Sequence, residues 1–346
     1  DLRMSRGLGD VYKRQEIQQS QMVAGNADST ITVLNEDSLR QVQMKEAFGI
    51  FSDFTTGENE KINLKNDLVS LSFSSKGGAL TEATLNKYKT HDSLPLTLFD
   101  EKDNEYGFIF KTGGRIVNTT DLFFKPIAGK DGKSVTMRLD FGNGKFFDLV
   151  YTLPEDSYMV KMDIRQKGME TILPGNTASL DLFWNQNLRS QEKGRMFEER
   201  NSALYYKFVG SDVDHLSESK DEQETISLGL KWIGYKNQFF SSALIPDGKF
   251  NGALIRSGMN NDPAYLKNFH TETTVDYNPA DNNGPGFRFY LGPNLYPLLH
   301  SYDKGVDDDK ALDLDKLVPL GFKFFRWINT WITVSYTHLT LPTNSR

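Results

Sequence analysis

Cysteine is absent from the 346 residues, which removes disulfides, thiol nucleophiles and cysteine-ligated zinc from consideration. The same absence fits an oxidising compartment, where stray thiols are a liability, although many cytoplasmic chains share it. Long apolar runs are missing too. The most apolar stretch near the C-terminus, Leu317 to Ile332, is interrupted by Lys323, Arg326 and Asn329, well short of the roughly 18–20 continuous apolar residues a membrane helix needs. No basic start followed by an apolar core marks an export signal. The formal charge is −6 with no basic tract, which argues against a nucleic-acid binder. Five histidines, His91, His215, His270, His300 and His338, are scattered without metal-ligand spacing. Neither a Gly-x-Ser-x-Gly elbow nor a phosphate-binding glycine loop occurs. No metal, cofactor or catalytic residue is therefore expected.

What the chain has is aromatic residues, 12% of the total with 24 Phe and 14 Tyr, which favour pleated, half-buried surfaces. Leu71 and Phe73 alternate with Ser70, Ser72 and Ser74, the period-2 pattern of a half-buried strand. The same style predicts strands at Leu96–Phe99, Tyr106–Phe110, Val135–Asp140, Phe146–Leu153, Met159–Gln166 and Ser179–Asn185. Further strands are predicted at Ala203–Val209, Ile226–Tyr235, Phe239–Pro246, Leu254–Arg256, Lys267–Val275 and Phe287–Leu291. Ser75-Lys76-Gly77-Gly78, Gly142-Asn143-Gly144 and Leu153-Pro154-Glu155-Asp156 read as turns. Turn signals about every 8–15 residues, with only short helical patterns, predict an antiparallel sandwich over 61–292, not βαβ units.

The flanks differ. Residues 1–15 and 333–346 resemble translated adaptor sequence and are set aside. That removes Asp1 and Asp10 but also Arg3, Arg6, Lys13, Arg14 and Arg346, leaving a more acidic remainder. Residues 16–60 are polar and read as a linker, with a loosely attached helix around Leu39–Phe48 as the alternative. From Gly292-Pro293-Asn294 the pattern turns helical. A short helix is predicted around Tyr296–Tyr302, another after the acidic Asp307–Asp309, and a last one from Leu317. In that last segment Leu317, Leu320, Phe324, Ile328 and Trp331 form one stripe. Phe325 and Trp327 broaden it beyond what a soluble helix needs, while Lys323 and Arg326 suit lipid headgroups. These seven apolar residues are the candidate membrane-interface or partner site; the competing expectation is a helix packed on the sandwich.

The densest polar patch runs from Arg189 to Arg200. Paired carboxylates do acid–base work on sugars, but adjacent Glu198 and Glu199 would point to opposite faces of a strand amid cations. An ion-paired, solvated loop is expected there, one that also offers a partner surface. Trp184, Trp232, Tyr205-Tyr206 and Phe239-Phe240 are expected to be core, with a groove for peptide or glycan as the alternative.

Arg195-Met196-Phe197-Glu198-Glu199-Arg200, Leu204-Tyr205-Tyr206-Lys207-Phe208 and Lys231-Trp232-Ile233-Gly234-Tyr235-Lys236-Asn237-Gln238-Phe239-Phe240 resemble the YidC membrane protein insertases. So does Phe289-Tyr290-Leu291-Gly292-Pro293-Asn294, leading through Leu317 and Gly321 to Arg326-Trp327. The order of these segments over about 60–332 carries the resemblance. It implies a mainly β, antiparallel β-supersandwich of the galactose mutarotase-like kind, with short C-terminal helices. It implies a periplasmic domain of an inner-membrane insertase and chaperone, following an N-terminal membrane anchor and preceding five membrane helices. Nascent membrane proteins, the Sec translocon and the bilayer surface are the implied partners. The alternative is a carbohydrate-binding or mutarotase-like enzyme on the same fold, for which His270 with Glu272 is an isolated candidate pair.

Overall fold

Left-handed turns at glycine and asparagine set the strand registers. In Gly142-Asn143-Gly144, Asn143 and Gly144 have φ of +54° and +76°, and Gly142 pairs with Lys145. Positive φ at both central residues of a two-residue loop matches the right-handed strand twist. At Gly78 the requirement is stronger. Its φ is +61°, and a Cβ there would lie 2.9 Å from the Phe124 ring.

The computed structural model describes residues 36–318. The chain divides into two compact units, Asp1–Gln43 and Met44–Arg346; among the described residues all strands lie in the second. Three antiparallel sheets form there. The four-stranded sheet is β1 (Lys61–Lys65), β2 (Val69–Ser74), β3 (Ala79–Lys89) and β4 (Pro95–Phe99), in that order. The six-stranded sheet contains β5 (Asn104–Thr112), β6 (Arg115–Asn118), β11 (Ser179–Arg189), β14 (Glu222–Ile226), β17 (Ala253–Met259) and β18 (Tyr265–Asp276). Its spatial order is β14-β17-β18-β11-β5-β6. The nine-stranded sheet contains β7 (Lys125–Ala128), β8 (Ser134–Gly142), β9 (Lys145–Thr152), β10 (Met159–Lys167) and β12 (Ala203–Phe208). It is completed by β13 (Val213–His215), β15 (Leu230–Lys236), β16 (Phe240–Pro246) and β19 (Asn283–Pro293), in the order β13-β12-β15-β16-β19-β10-β9-β8-β7.

The two larger sheets face each other across an aromatic layer. Phe108 meets Phe287 with ring centroids 5.7 Å apart, Tyr106 meets Phe289 at 5.1 Å and Phe110 meets Phe147 at 5.0 Å. Trp184 stacks on Tyr235 at 3.8 Å and donates Nε1–H to Asn104 Oδ1 at 2.9 Å. Its polar atom is therefore satisfied inside the core. A hydroxyl relay joins the small sheet to both large ones. The Leu80 N–H donates to Tyr106 Oη at 2.8 Å, the two tyrosine hydroxyls are 2.5 Å apart, and Tyr151 Oη donates to the Gly78 carbonyl at 2.8 Å. A buried chain of this kind fixes both rings, because each hydroxyl left unpaired would cost free energy.

Three expectations need correction. Within 16–60, expected to be a linker with a helix around Leu39–Phe48 as the alternative, residues 36–54 follow the alternative: α1 (Glu36–Phe48) runs into a 3-10 helix (Gly49–Phe54). Phe48, Phe51 and Phe54 recur every three residues, which at three residues per 3-10 turn places them on one side. Phe51 is fully buried, stacked on Phe110 at 5.1 Å. Ile226–Tyr235 is not one strand; it breaks at Ser227–Gly229, where the chain leaves the six-stranded sheet and enters the nine-stranded one. Asp307–Asp309 do not start a helix either. They lie in turns between α3 (Tyr296–Ser301) and a 3-10 helix (Leu314–Leu317). Here the carboxylates of Asp303, Asp313 and Asp315 converge within 4.8 Å of one another. Asp303 accepts from the Leu312 and Asp313 N–H groups, Asp313 pairs with Lys207 at 2.6 Å, and Asp315 meets His300 at 3.3 Å. The acidic residues thus tie the C-terminal segment down.

Candidate functional site

Of the seven apolar candidates in the C-terminal segment, Leu317 alone lies among the described residues. Leu317 is fully buried in the sandwich core, at the end of its 3-10 helix, and Val318 after it is extended. Leu317 is thus a packing residue here. Leu320, Phe324, Phe325, Trp327, Ile328 and Trp331 lie outside the described residues.

In the 189–200 patch Arg189 ends β11 and 190–194 is a loop with Lys193 and Gly194 exposed, as expected, but the chain then turns helical. Residues Arg195–Arg200 form a short helix, α2, and Glu198 is fully buried. Its carboxylate accepts the Gln191 N–H at 2.9 Å, the Glu192 N–H at 3.2 Å and the Ser190 hydroxyl at 2.9 Å. Asn237 Nδ2 approaches at 3.4 Å. No cation neutralises it among the ion pairs of the described residues. Burial raises its carboxyl above the ordinary range, only partly opposed by the backbone donors. Glu199 behaves as expected, pairing with Arg195 at 3.6 Å. Arg189 bridges Asp100 and Asp103, each at 2.5 Å. The predicted core aromatics are core, with one exception. Trp184, Trp232, Tyr205, Tyr206 and Phe240 are buried, whereas Phe239 is exposed.

What the strand spacing did not reveal is a polar row across the open face of the six-stranded sheet. Register places Glu105 opposite Asn185, Asn185 opposite His270, His270 opposite Arg256 and Arg256 opposite Gln223. Five strands thus contribute one side chain each. His270 is held in place, its Nε2 2.8 Å from Glu272 and its Nδ1 against Asn185 Oδ1. Asn187 and Asn268 form a second pair two residues along. The row floors a trough with two lobes of about 590 Å³ each that share Asn185 and Asn187. The signal was long-range: these residues lie up to 165 positions apart, and only the pairing of β5, β11, β18, β17 and β14 aligns them.

Fold and site together define a mainly β, antiparallel sandwich module with a polar trough and a buried structural carboxylate. The family described as the YidC periplasmic domain matches residues 61–334, and the chain belongs to that family. The membrane protein insertase YidC of Parabacteroides distasonis is 44% identical over 299 residues, covering 86% of this chain and 47% of that protein. The chain thus spans about half the length of the curated relatives it matches. An active YidC insertase crystal structure with the first transmembrane domain resolved is 12% identical. It covers 82% of this chain and 51% of that one, at a TM-score of 0.36. A galactose mutarotase related enzyme from Lactobacillus acidophilus is 8% identical, with 67% of this chain and 97% of that one covered and a TM-score of 0.43.

Proposed function

We propose that the chain is the periplasmic part of an inner-membrane insertase. In this reading it serves as a non-enzymatic chaperone and partner module that assists insertion, folding and assembly of integral membrane proteins, alone or with the Sec translocon. The observation that carries this reading is the family match over nearly the whole sandwich and beyond it, at 61–334. The burial of Leu317 supports a division of labour in the C-terminal segment. The chain is anchored to the sandwich as far as Leu317, and the following apolar residues, Leu320, Phe324, Phe325, Trp327, Ile328 and Trp331, serve the membrane interface.

Each large apolar side chain moved from water into the acyl boundary contributes roughly 1.5–3 kcal/mol, so two or three give measurable, reversible association. The test is co-sedimentation of the chain with phosphatidylethanolamine–phosphatidylglycerol vesicles, comparing wild type with Phe325→Ser, Trp327→Ser and Trp331→Ser combined. The triple variant is expected to lose most vesicle binding while its thermal unfolding stays unchanged. Equal binding by both proteins contradicts the interfacial role.

A further inference from the structure

Two exposed apolar side chains stand beside the point where the C-terminal segment leaves the sandwich. Val209, in the β12–β13 hairpin, is 48% exposed, and Leu228, in the β14–β15 link, is 66% exposed. The Val209 N–H donates to the Gly229 carbonyl at 2.9 Å, so the two loops lie side by side. Phe208 and Val213 pack behind the hairpin against the core. Lys316 Nζ reaches Asp212 in the same hairpin at 3.2 Å, two residues before Val318, the last described residue.

Scattered exposed apolar side chains are ordinary on a protein surface; the tether is what distinguishes this pair. Leu320, the first of the apolar residues proposed for the membrane interface, follows Lys316 by four positions, and four residues span at most about 14 Å. A bilayer that takes up Leu320 and the residues after it therefore lies within reach of the β12–β13 hairpin. Another exposed apolar pair, Met196 and Phe197 on α2, precedes β12, whose six residues carry the chain roughly 17 Å along the strand before it meets the tether. Charges on these loops balance: Asp212 pairs with Lys316, and Asp247 is followed by Lys249, whose stem lies against Gly229. Asp309, whose carbonyl accepts from Lys231, adds to the acidic side. Attraction to anionic headgroups is therefore not what holds this rim; apolar contact is. One valine and one leucine fall far short of the roughly 800 Å² per partner of a stable protein interface, yet they suffice to extend a neighbouring lipid contact.

We infer that Val209 and Leu228 are the sandwich's own contact with the bilayer: both side chains enter the boundary between headgroups and acyl chains, beside the segment that follows Leu317, and so set which end of the sandwich faces the membrane. The inference rests on the interfacial reading of Leu320, Phe324, Phe325, Trp327, Ile328 and Trp331, and goes beyond it by naming a second, folded element of the contact.

The cysteine-free chain allows single labelling sites. An environment-sensitive nitrobenzoxadiazole label is placed in turn at Leu228→Cys, Met196→Cys and Phe325→Cys. Phosphatidylethanolamine–phosphatidylglycerol vesicles are then added, with and without doxyl-labelled quencher lipid. Fluorescence at 228 and 325 is expected to rise and to be quenched, with 196 unchanged, and high salt should leave the quenching in place. Val209→Ser combined with Leu228→Ser should weaken vesicle binding about tenfold while thermal unfolding stays unchanged. Quenching at 325 but not at 228 overturns this inference and leaves the interfacial reading standing; quenching at neither site overturns both. A label at 228 that is already in an apolar environment before vesicles are added, covered by residues 320–331 or by a second copy of the chain, also overturns it. So does equal quenching at 196 and 228, which marks adsorption without orientation, or quenching at 228 that high salt abolishes.

Discussion

Glu198 shows how one side chain organises a region without forming a catalytic pair. Its carboxylate holds the 190–192 backbone against α2 and reaches Asn237 at the β15–β16 turn. Glu198→Ala would strand these donors and leave a void, so a loss of about 2–4 kcal/mol in denaturant unfolding is expected. Glu198→Gln keeps an acceptor and removes the buried charge, so its loss should be much smaller. The pH dependence follows from the raised carboxyl. Between its unfolded and folded values the native state binds more protons, so this group's contribution to stability falls as pH rises through that window. Glu198→Gln should abolish that fall; an unchanged pH slope would contradict the assignment. Lys236 gives the opposite sign at higher pH. Burial lowers its ammonium from 10.5 to about 8, so between those values the unfolded chain binds more protons and stability rises with pH. Lys236→Met should flatten that rise in urea titrations between pH 8 and 10.

The elements most legible in the sequence were those with strict alternation or defined turn chemistry. β2 follows the alternation of Leu71 and Phe73 with serines, and the β8–β9 hairpin follows Gly142-Asn143-Gly144. The segment 36–54 was less legible because its signal is short: three phenylalanines every three residues, in a stretch otherwise polar. Tertiary contact decides it, through Phe51 against Phe110 and Arg115 Nε donating to the Glu46 carbonyl at 2.6 Å. Phe51→Ala should therefore cost about 3–5 kcal/mol, measured by thermal or urea unfolding. A cost under about 1 kcal/mol would show the segment to be peripheral. Within the 189–200 patch, Glu198 was misread for a related reason. Local charge density suggests solvent, but Glu198 is buried by contacts from β15–β16 some 40 residues on. The polar trough was invisible for the strongest form of the same reason, since strand register alone assembles it.

At the scale of the whole molecule, the sandwich holds its C-terminal segment by packing and hydrogen bonds as far as Leu317. Trp232 Nε1 donates to the Leu312 carbonyl at 2.6 Å, and Lys207 pairs with Asp313. The family membership was legible because its segments recur in order along the strands, not because any one of them is decisive. The most direct test of the insertase reading is a domain exchange. Residues 61–332 replace the corresponding domain in the Parabacteroides distasonis insertase, the chimera is reconstituted in proteoliposomes, and insertion of a single-span client is scored by protease protection. The account predicts insertion close to the parent insertase's level. A folded chimera that inserts no more client than one carrying an unrelated β-sandwich in the same position would contradict it.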